Sequence, residues 1–244
     1  MSDGPQGWGT PLYARVLDAL PAGATVLDVG CGAGEFARAA VDRGHAVTGL
    51  DVDTGAVAAA ARRVPEGSFA VGDAHDLAVP ASSVDAVVLV QVLTHVANPL
   101  AALREAARVV RPSGTVVVTV WGREEECDVR AFGDALAGLL PPRPPRPGGP
   151  PPLTEPDRLA KLVDMAGLRV DAVEEVVCPF DYADDDELAG PVIDSAMGRT
   201  AARRAGPGGV RTAVLEGMAR FRQDDGGYRL ENLFRVLTAR RERR

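Results

Sequence analysis

Between Thr25 and Thr119, short apolar runs rich in β-branched residues alternate with longer Ala-rich stretches whose apolar positions recur every three or four residues. That alternation is the pattern of an α/β fold, in which parallel strands are joined by crossover helices. It predicts strands at Thr25–Val29, Ala46–Leu50, Ser68–Val71, Ala86–Val90 and Thr115–Val120, and their near-continuous Val and Leu content suits burial on both faces. Helices are expected at Glu35–Arg43, Thr54–Arg63 and Pro99–Val110, the last with Asn98 as N-cap and Pro99 in its first turn. Pro112-Ser113-Gly114 reads as the turn into the fifth strand.

After this region the pattern loosens. Pro141–Pro152 (PPRPPRPGGPPP) is incompatible with helix or strand, because proline lacks a backbone donor and fixes φ, and it reads as a semi-rigid surface loop. A helix at Glu155–Ala166 closed by Gly167, a strand at Leu168–Cys178, and a polar, helix-prone stretch from Asp184 to Arg222 follow. Asp224-Asp225-Gly226-Gly227 marks a turn before a last strand, Tyr228–Ala239.

Composition narrows the function classes. The 244 residues suit a single domain spanning 1–244. No apolar run approaches the length of a membrane span, and the N-terminus has no basic stretch followed by an apolar one, so a cytoplasmic location is expected. The net charge of −7, from 27 basic and 34 acidic residues, argues against a nucleic-acid partner. Cys31, Cys127 and Cys178 lie far apart without metal-ligand spacing, so reduced thiols and no metal are expected; the acidic run Asp184–Glu187 reads as a solvated helix start. Lys161, the only lysine, is the sole candidate for Schiff-base chemistry.

The chemistry concentrates at strand ends. Val26–Phe36 (VLDVGCGAGEF) runs a strand into Gly30-x-Gly32-x-Gly34 and then a helix, a turn whose glycines let the backbone bend sharply and approach a ligand. A dinucleotide fingerprint needs its third glycine at position 35, where this chain has Glu35, so the loop suits a ligand without phosphates at that point. Asp51 ends the second strand, where a carboxylate accepts ribose hydroxyls in folds of this kind, and Asp73, in Gly72-Asp73-Ala74, ends the third. Gln91-Val92-Leu93-Thr94-His95 follows the fourth.

In order and spacing over about residues 24–121, these segments resemble the class I S-adenosylmethionine-dependent methyltransferases, in particular the bacterial branch acting on small molecules in natural-product biosynthesis. The resemblance implies a Rossmann-like, doubly wound, mostly parallel sheet, completed by an antiparallel final strand resembling Tyr228–Ala239. It also implies S-adenosyl-L-methionine as cofactor and a small-molecule acceptor; the acceptor atom is left open between oxygen, nitrogen and carbon, with O-methylation the preferred expectation. On this reading Gly30, Cys31 and Gly32 pass under the methionine part, and Asp28 supports its ammonium or orders the glycine loop. Asp51 holds the ribose, Val52 packs on adenine, Asp73 with the Ala74 backbone reads the adenine edge, and Gln91 offers backbone contacts to the methionine end. Ser113 departs from the glycine usual before Gly114. Helices within 184–222 are expected to form a small cap over the pocket, and Tyr13, Trp121, Phe180 and Tyr182 are candidate pocket walls, with core packing as the competing reading for Trp121 and Phe180.

Among the histidines, His45 reads as exposed and His75 as a neighbour of the cofactor's base. His95, on the substrate side, is either a general base or a residue that orders its loop, the latter being favoured. A non-methylating S-adenosylmethionine enzyme such as a cyclase, an NAD-dependent oxidoreductase and a noncatalytic binding module compete with the methyltransferase reading. A monomer or homodimer is expected.

Overall fold

The computed structural model describes residues 4–141 and 152–242, so the proline-rich loop expected at Pro141–Pro152 lies almost wholly outside the described residues. In chain order the elements are α1 (Thr10–Asp18), β1 (Thr25–Val29), α2 (Glu35–Asp42), β2 (Ala46–Asp51), α3 (Thr54–Arg63), β3 (Ser68–Val71), β4 (Val84–Val90), α4 (Pro99–Val109), β5 (Val110–Trp121), α5 (Arg130–Leu136), α6 (Pro156–Met165), β6 (Leu168–Tyr182), α7 (Asp185–Asp194), α8 (Ala196–Met218) and β7 (Tyr228–Arg241). The strands form one seven-stranded sheet in the order β3-β2-β1-β4-β5-β7-β6. Pairing from β3 through to β5 is parallel, while β7 runs antiparallel to β5 with Val118 opposite Leu237. This is the doubly wound, mostly parallel sheet with an antiparallel final strand that the sequence predicts.

The chain divides into two compact units, each built from three stretches. The core unit comprises 11–121, 151–176 and 234–244. Its interior is the face of β1, β4 and β5 packed against α4 and α6, with Leu27, Leu89, Leu103, Val118, Leu159 and Leu237 fully buried. Each such side chain contributes roughly 1.5–3 kcal/mol by leaving water. The second unit comprises 1–10, 122–150 and 177–233, with α5, α7 and α8 burying Leu136, Leu188, Val210, Val214 and Met218. Gly206, at φ 71°, breaks α8, and Pro207 begins its second half in a first-turn position that needs no N–H.

Several sequence expectations are corrected. β3 is largely exposed, not buried on both faces, because it is the edge strand covered on one side only. Pro112-Ser113-Gly114 does not precede β5 but lies inside it, the strand beginning at Val110. Ser113 there has φ 65°, the left-handed region that favours the glycine it replaces. β6 continues four residues beyond Cys178 to Tyr182. His45 is buried, not exposed. Two further helices, α1 and α5, lie outside the elements that the sequence pattern predicts.

Candidate functional site

Every cofactor-binding candidate belongs to the core unit and is carried by the carboxyl ends of β1, β2, β3 and β4 or the loops that follow them. After β1 the backbone turns through Gly30 at φ 73°, Gly32 at φ 52° and Gly34 at φ 86°. At Gly30 a Cβ would fall 2.4 Å from a Val92 methyl, and at Gly34 it would fall 3.0 Å from the Ala60 Cα, so side chains are excluded there by space as well as by conformation. Above Gly32, by contrast, the Cβ position is open. Backbone N–H groups of Gly30 and Cys31 both donate to the Leu50 carbonyl, at 2.7 and 3.0 Å, which ties the loop to the end of β2.

Asp51 makes the second tie. Its two oxygens accept from the Gly32 N–H and the Asp53 N–H, each at 2.9 Å. Each oxygen retains a lone pair for a further donor, so the carboxylate orders the loop and remains able to receive a diol. Beyond it Val52 is 69% exposed, an apolar side chain left bare at a strand end.

Asp28 is buried on β1, and its Oδ2 has no hydrogen-bond partner. Burial, assisted by the nearby Asp51 charge, pushes its pKa up to about 7. A cationic group brought to this carboxyl would supply the missing partner and favour its ionised form. The neighbouring Cys31 thiol is pushed up to about 12 by burial and by the charges of Asp28 and Asp51, so it stays protonated and is no nucleophile at neutral pH. An orphaned buried carboxyl oxygen, a loop open above Gly32 and a diol-accepting carboxylate fit S-adenosylmethionine, with its ammonium, sulfonium and ribose.

Asp73 lies just past β3. Its Oδ1 accepts from the His75 backbone N–H at 2.9 Å and from His75 Nδ1 at 2.6 Å, and these bonds hold its pKa below the ordinary carboxylate range. Ala74 beside it is buried. Gln91 adopts φ 60°; its backbone N–H and its side-chain Nε2 both reach Thr119 Oγ1 at 3.0 Å, while Oε1 is buried without a partner. His95, further along the same loop, has an exposed side chain and a backbone N–H bonded to the Val92 carbonyl at 2.9 Å.

The candidate pocket aromatics divide between the units. In the core unit Tyr13 meets Phe36 edge-on at 5.8 Å, and Trp121 packs at 4.3 Å from Phe234. In the second unit Phe180 is buried against Trp8 at 5.3 Å. Tyr182 meets Phe132 edge-on at 6.5 Å, its phenol pushed up to about 12 by burial and by Glu187. Among the described residues no group of His, Cys, Asp and Glu is placed to hold a metal, and no helix is long and apolar enough to cross a membrane. What the sequence reading missed is the pairing of His75 with the loop after β4, because its Nε2 accepts from the Asn98 backbone N–H 23 residues away.

The chain is similar to known proteins in sequence and in fold. Residues 27–118 match the family model described as Methyltransferase domain. The 2-methyl-6-phytyl-1,4-hydroquinone methyltransferase of Synechocystis is 39% identical over 117 residues, covering 46% of this chain and 37% of the relative. The ubiquinone biosynthesis O-methyltransferase of Xanthomonas campestris is 36% identical over 136 residues, covering 53% and 56%. The chain thus spans about half or less of the length of the curated relatives it matches. Among solved structures, a putative methyltransferase from Bacillus halodurans superposes with a TM-score of 0.62 at 15% identity, over 98% of this chain and 100% of that one. The cyclase SpnF superposes with a TM-score of 0.59 at 24% identity, over 95% and 80%. These two likenesses establish a shared fold.

Proposed function

We infer, from a core whose residues 27–118 match the Methyltransferase domain model, that this chain is a class I S-adenosylmethionine-dependent methyltransferase, moving a methyl group from S-adenosylmethionine to a small-molecule acceptor, a hydroxyl oxygen in preference to nitrogen or carbon. The observation that carries the reading is the arrangement of Asp28, the Gly30–Gly32 turn and Asp51 at adjoining strand ends, with one buried carboxyl oxygen lacking a partner. The cofactor, when bound, supplies a methyl group already activated by a positively charged sulfur.

The chain's own residues bind and align. Asp28 serves the ammonium, Asp51 the ribose hydroxyls, Val52 and Ala74 the faces and edge of the adenine, Asp73 its amine, and the Gln91 backbone the methionine end. Because the electrophile needs no further activation, alignment and exclusion of water dominate the rate; the acceptor hydroxyl gives up its proton to solvent on binding, the oxygen–methyl bond forms as the sulfur–methyl bond breaks, and no dedicated base is assigned. His95 accordingly orders the loop after β4 in this reading. Preference for a hydroxyl is supported by one of the relatives, the ubiquinone biosynthesis O-methyltransferase of Xanthomonas campestris. Tyr13 and Trp121, both of the core unit, are proposed as acceptor-pocket walls, and a bacterial biosynthetic setting, a cytoplasmic location and a monomeric or dimeric state accompany the proposal.

The test is calorimetry with S-adenosylmethionine, S-adenosylhomocysteine and NAD, followed by product analysis with hydroquinone-type acceptors. Micromolar binding of the first two, about −8 kcal/mol, and a product heavier by one methyl are expected. NAD bound as tightly as S-adenosylmethionine, or an isomerised product without methyl transfer, overturns the reading.

A further inference from the structure

His75 belongs to the loop between β3 and β4 and makes three hydrogen bonds, two with Asp73 two residues before it and one with Asn98, 23 residues further on. Its backbone N–H and its Nδ1 both meet Asp73 Oδ1, at 2.9 and 2.6 Å, and its Nε2 lies 3.2 Å from the backbone N of Asn98. A backbone N–H can only donate, so Nε2 must accept, and the ring proton of neutral His75 is therefore on Nδ1, from which it donates to Asp73. The ring thus has a defined direction, with its donor end on the carboxylate and its acceptor end on the residue that caps α4. Both bonds to Asp73 fall on the same oxygen, which leaves Oδ2 free and fixes where it points.

We propose that His75 is a positioning residue for recognition of the adenine base: by holding Asp73 Oδ1, it presents Oδ2 to the exocyclic amine, and it registers that carboxylate against the Asn98 end of the loop carrying Gln91. This rests on the reading that S-adenosylmethionine is the cofactor and Asp73 its adenine-amine acceptor. The side chain of Asp73 is more than half exposed, so without the ring only the His75 backbone N–H would hold it, and the amine would meet a less firmly placed acceptor. A charge-assisted hydrogen bond gains its strength from fixed geometry.

The experiment compares S-adenosylhomocysteine with its purine counterpart, in which hydrogen replaces the exocyclic amine, by calorimetry on wild type, His75→Ala, His75→Asn and His75→Gln, each checked for fold by circular dichroism. Asparagine offers a donor near the Nδ1 position, whereas glutamine reaches towards the Nε2 position and offers an acceptor to Asn98. Wild type and His75→Asn are expected to favour the adenine form by about tenfold, and His75→Ala and His75→Gln to bind the two forms nearly alike. A purely structural role would weaken both forms together and leave the ratio unchanged, which overturns the proposal. A wild type that binds both forms equally shows that the amine is not read and overturns it too. A wild type that binds neither form brings down the cofactor reading itself, and this inference with it. Should His75→Ala fail to fold, the His75→Gln against His75→Asn comparison decides alone.

Discussion

Asp28 is the residue whose chemistry responds most directly to its surroundings. The folded protein holds its proton up to about pH 7, whereas the unfolded chain releases it near the ordinary value of 3.8. In that window the folded state binds more protons, so its stabilising share is complete below about pH 4 and is lost as pH rises through about 7. Burying the charge then costs on the order of 4 kcal/mol. Urea unfolding at several pH values should therefore show Asp28→Asn gaining on wild type as pH rises from 5 to 8; a constant difference would mean that Asp28 is already ionised at pH 5. If the orphaned Oδ2 receives a cation, S-adenosylmethionine affinity should rise over the same range and lose that dependence in Asp28→Asn. Asp51 has two tasks, the Gly32 N–H and the proposed ribose contact, so Asp51→Ala should weaken cofactor binding at least tenfold in a folded protein. An unchanged dissociation constant would place the ribose elsewhere.

Elements were legible where their pattern is long and where their ends carry a chemical stop. The strands of the parallel core and α2, α3 and α4 follow the reading to within two residues at most ends, and Asn98 caps α4 by accepting from the Ala101 N–H at 3.1 Å. Asn98→Ala should lower stability by about 1 kcal/mol, seen as a fall in melting temperature. Gly34→Ala should cost more, at least about 1–2 kcal/mol, because the added methyl faces backbone at Ala60 in a left-handed turn; an unperturbed melting curve would mean that the turn relaxes freely. By contrast, α1 buries Leu12, Val16 and Leu17, a helical spacing present in the sequence but spread over only nine residues directly after Gly7-Trp8-Gly9. The seven-residue α5 is shorter still. His45 precedes a strand, a position that reads as exposed in the sequence, yet its ring packs away from water at the turn between α2 and β2. Candidate site residues were readable because strand ends converge on a ligand in this topology. The His75–Asn98 contact was not, because sequence offers no local signal for a bond spanning 23 residues.

At the scale of the molecule, the two units interleave along the chain, so neither corresponds to one continuous stretch that could be expressed alone. The position of β7 adds a constraint in time. Last in sequence, it is placed between β5 and β6, and β6 has β7 as its neighbour in the sheet. While the protein is being synthesised, β5 and β6 therefore emerge with open edges and stay so until residues 228–241 leave the ribosome, and open edges are templates for mispairing. The acidic residues along β6, Asp171, Glu174 and Glu175, would keep nascent copies apart during that interval, and in the finished fold they are taken up by Arg240, Arg15 and Arg235. A ribosome stalled before Tyr228 should thus hold a chain dependent on chaperones, whereas release of the last strand completes the sheet and closes the interval.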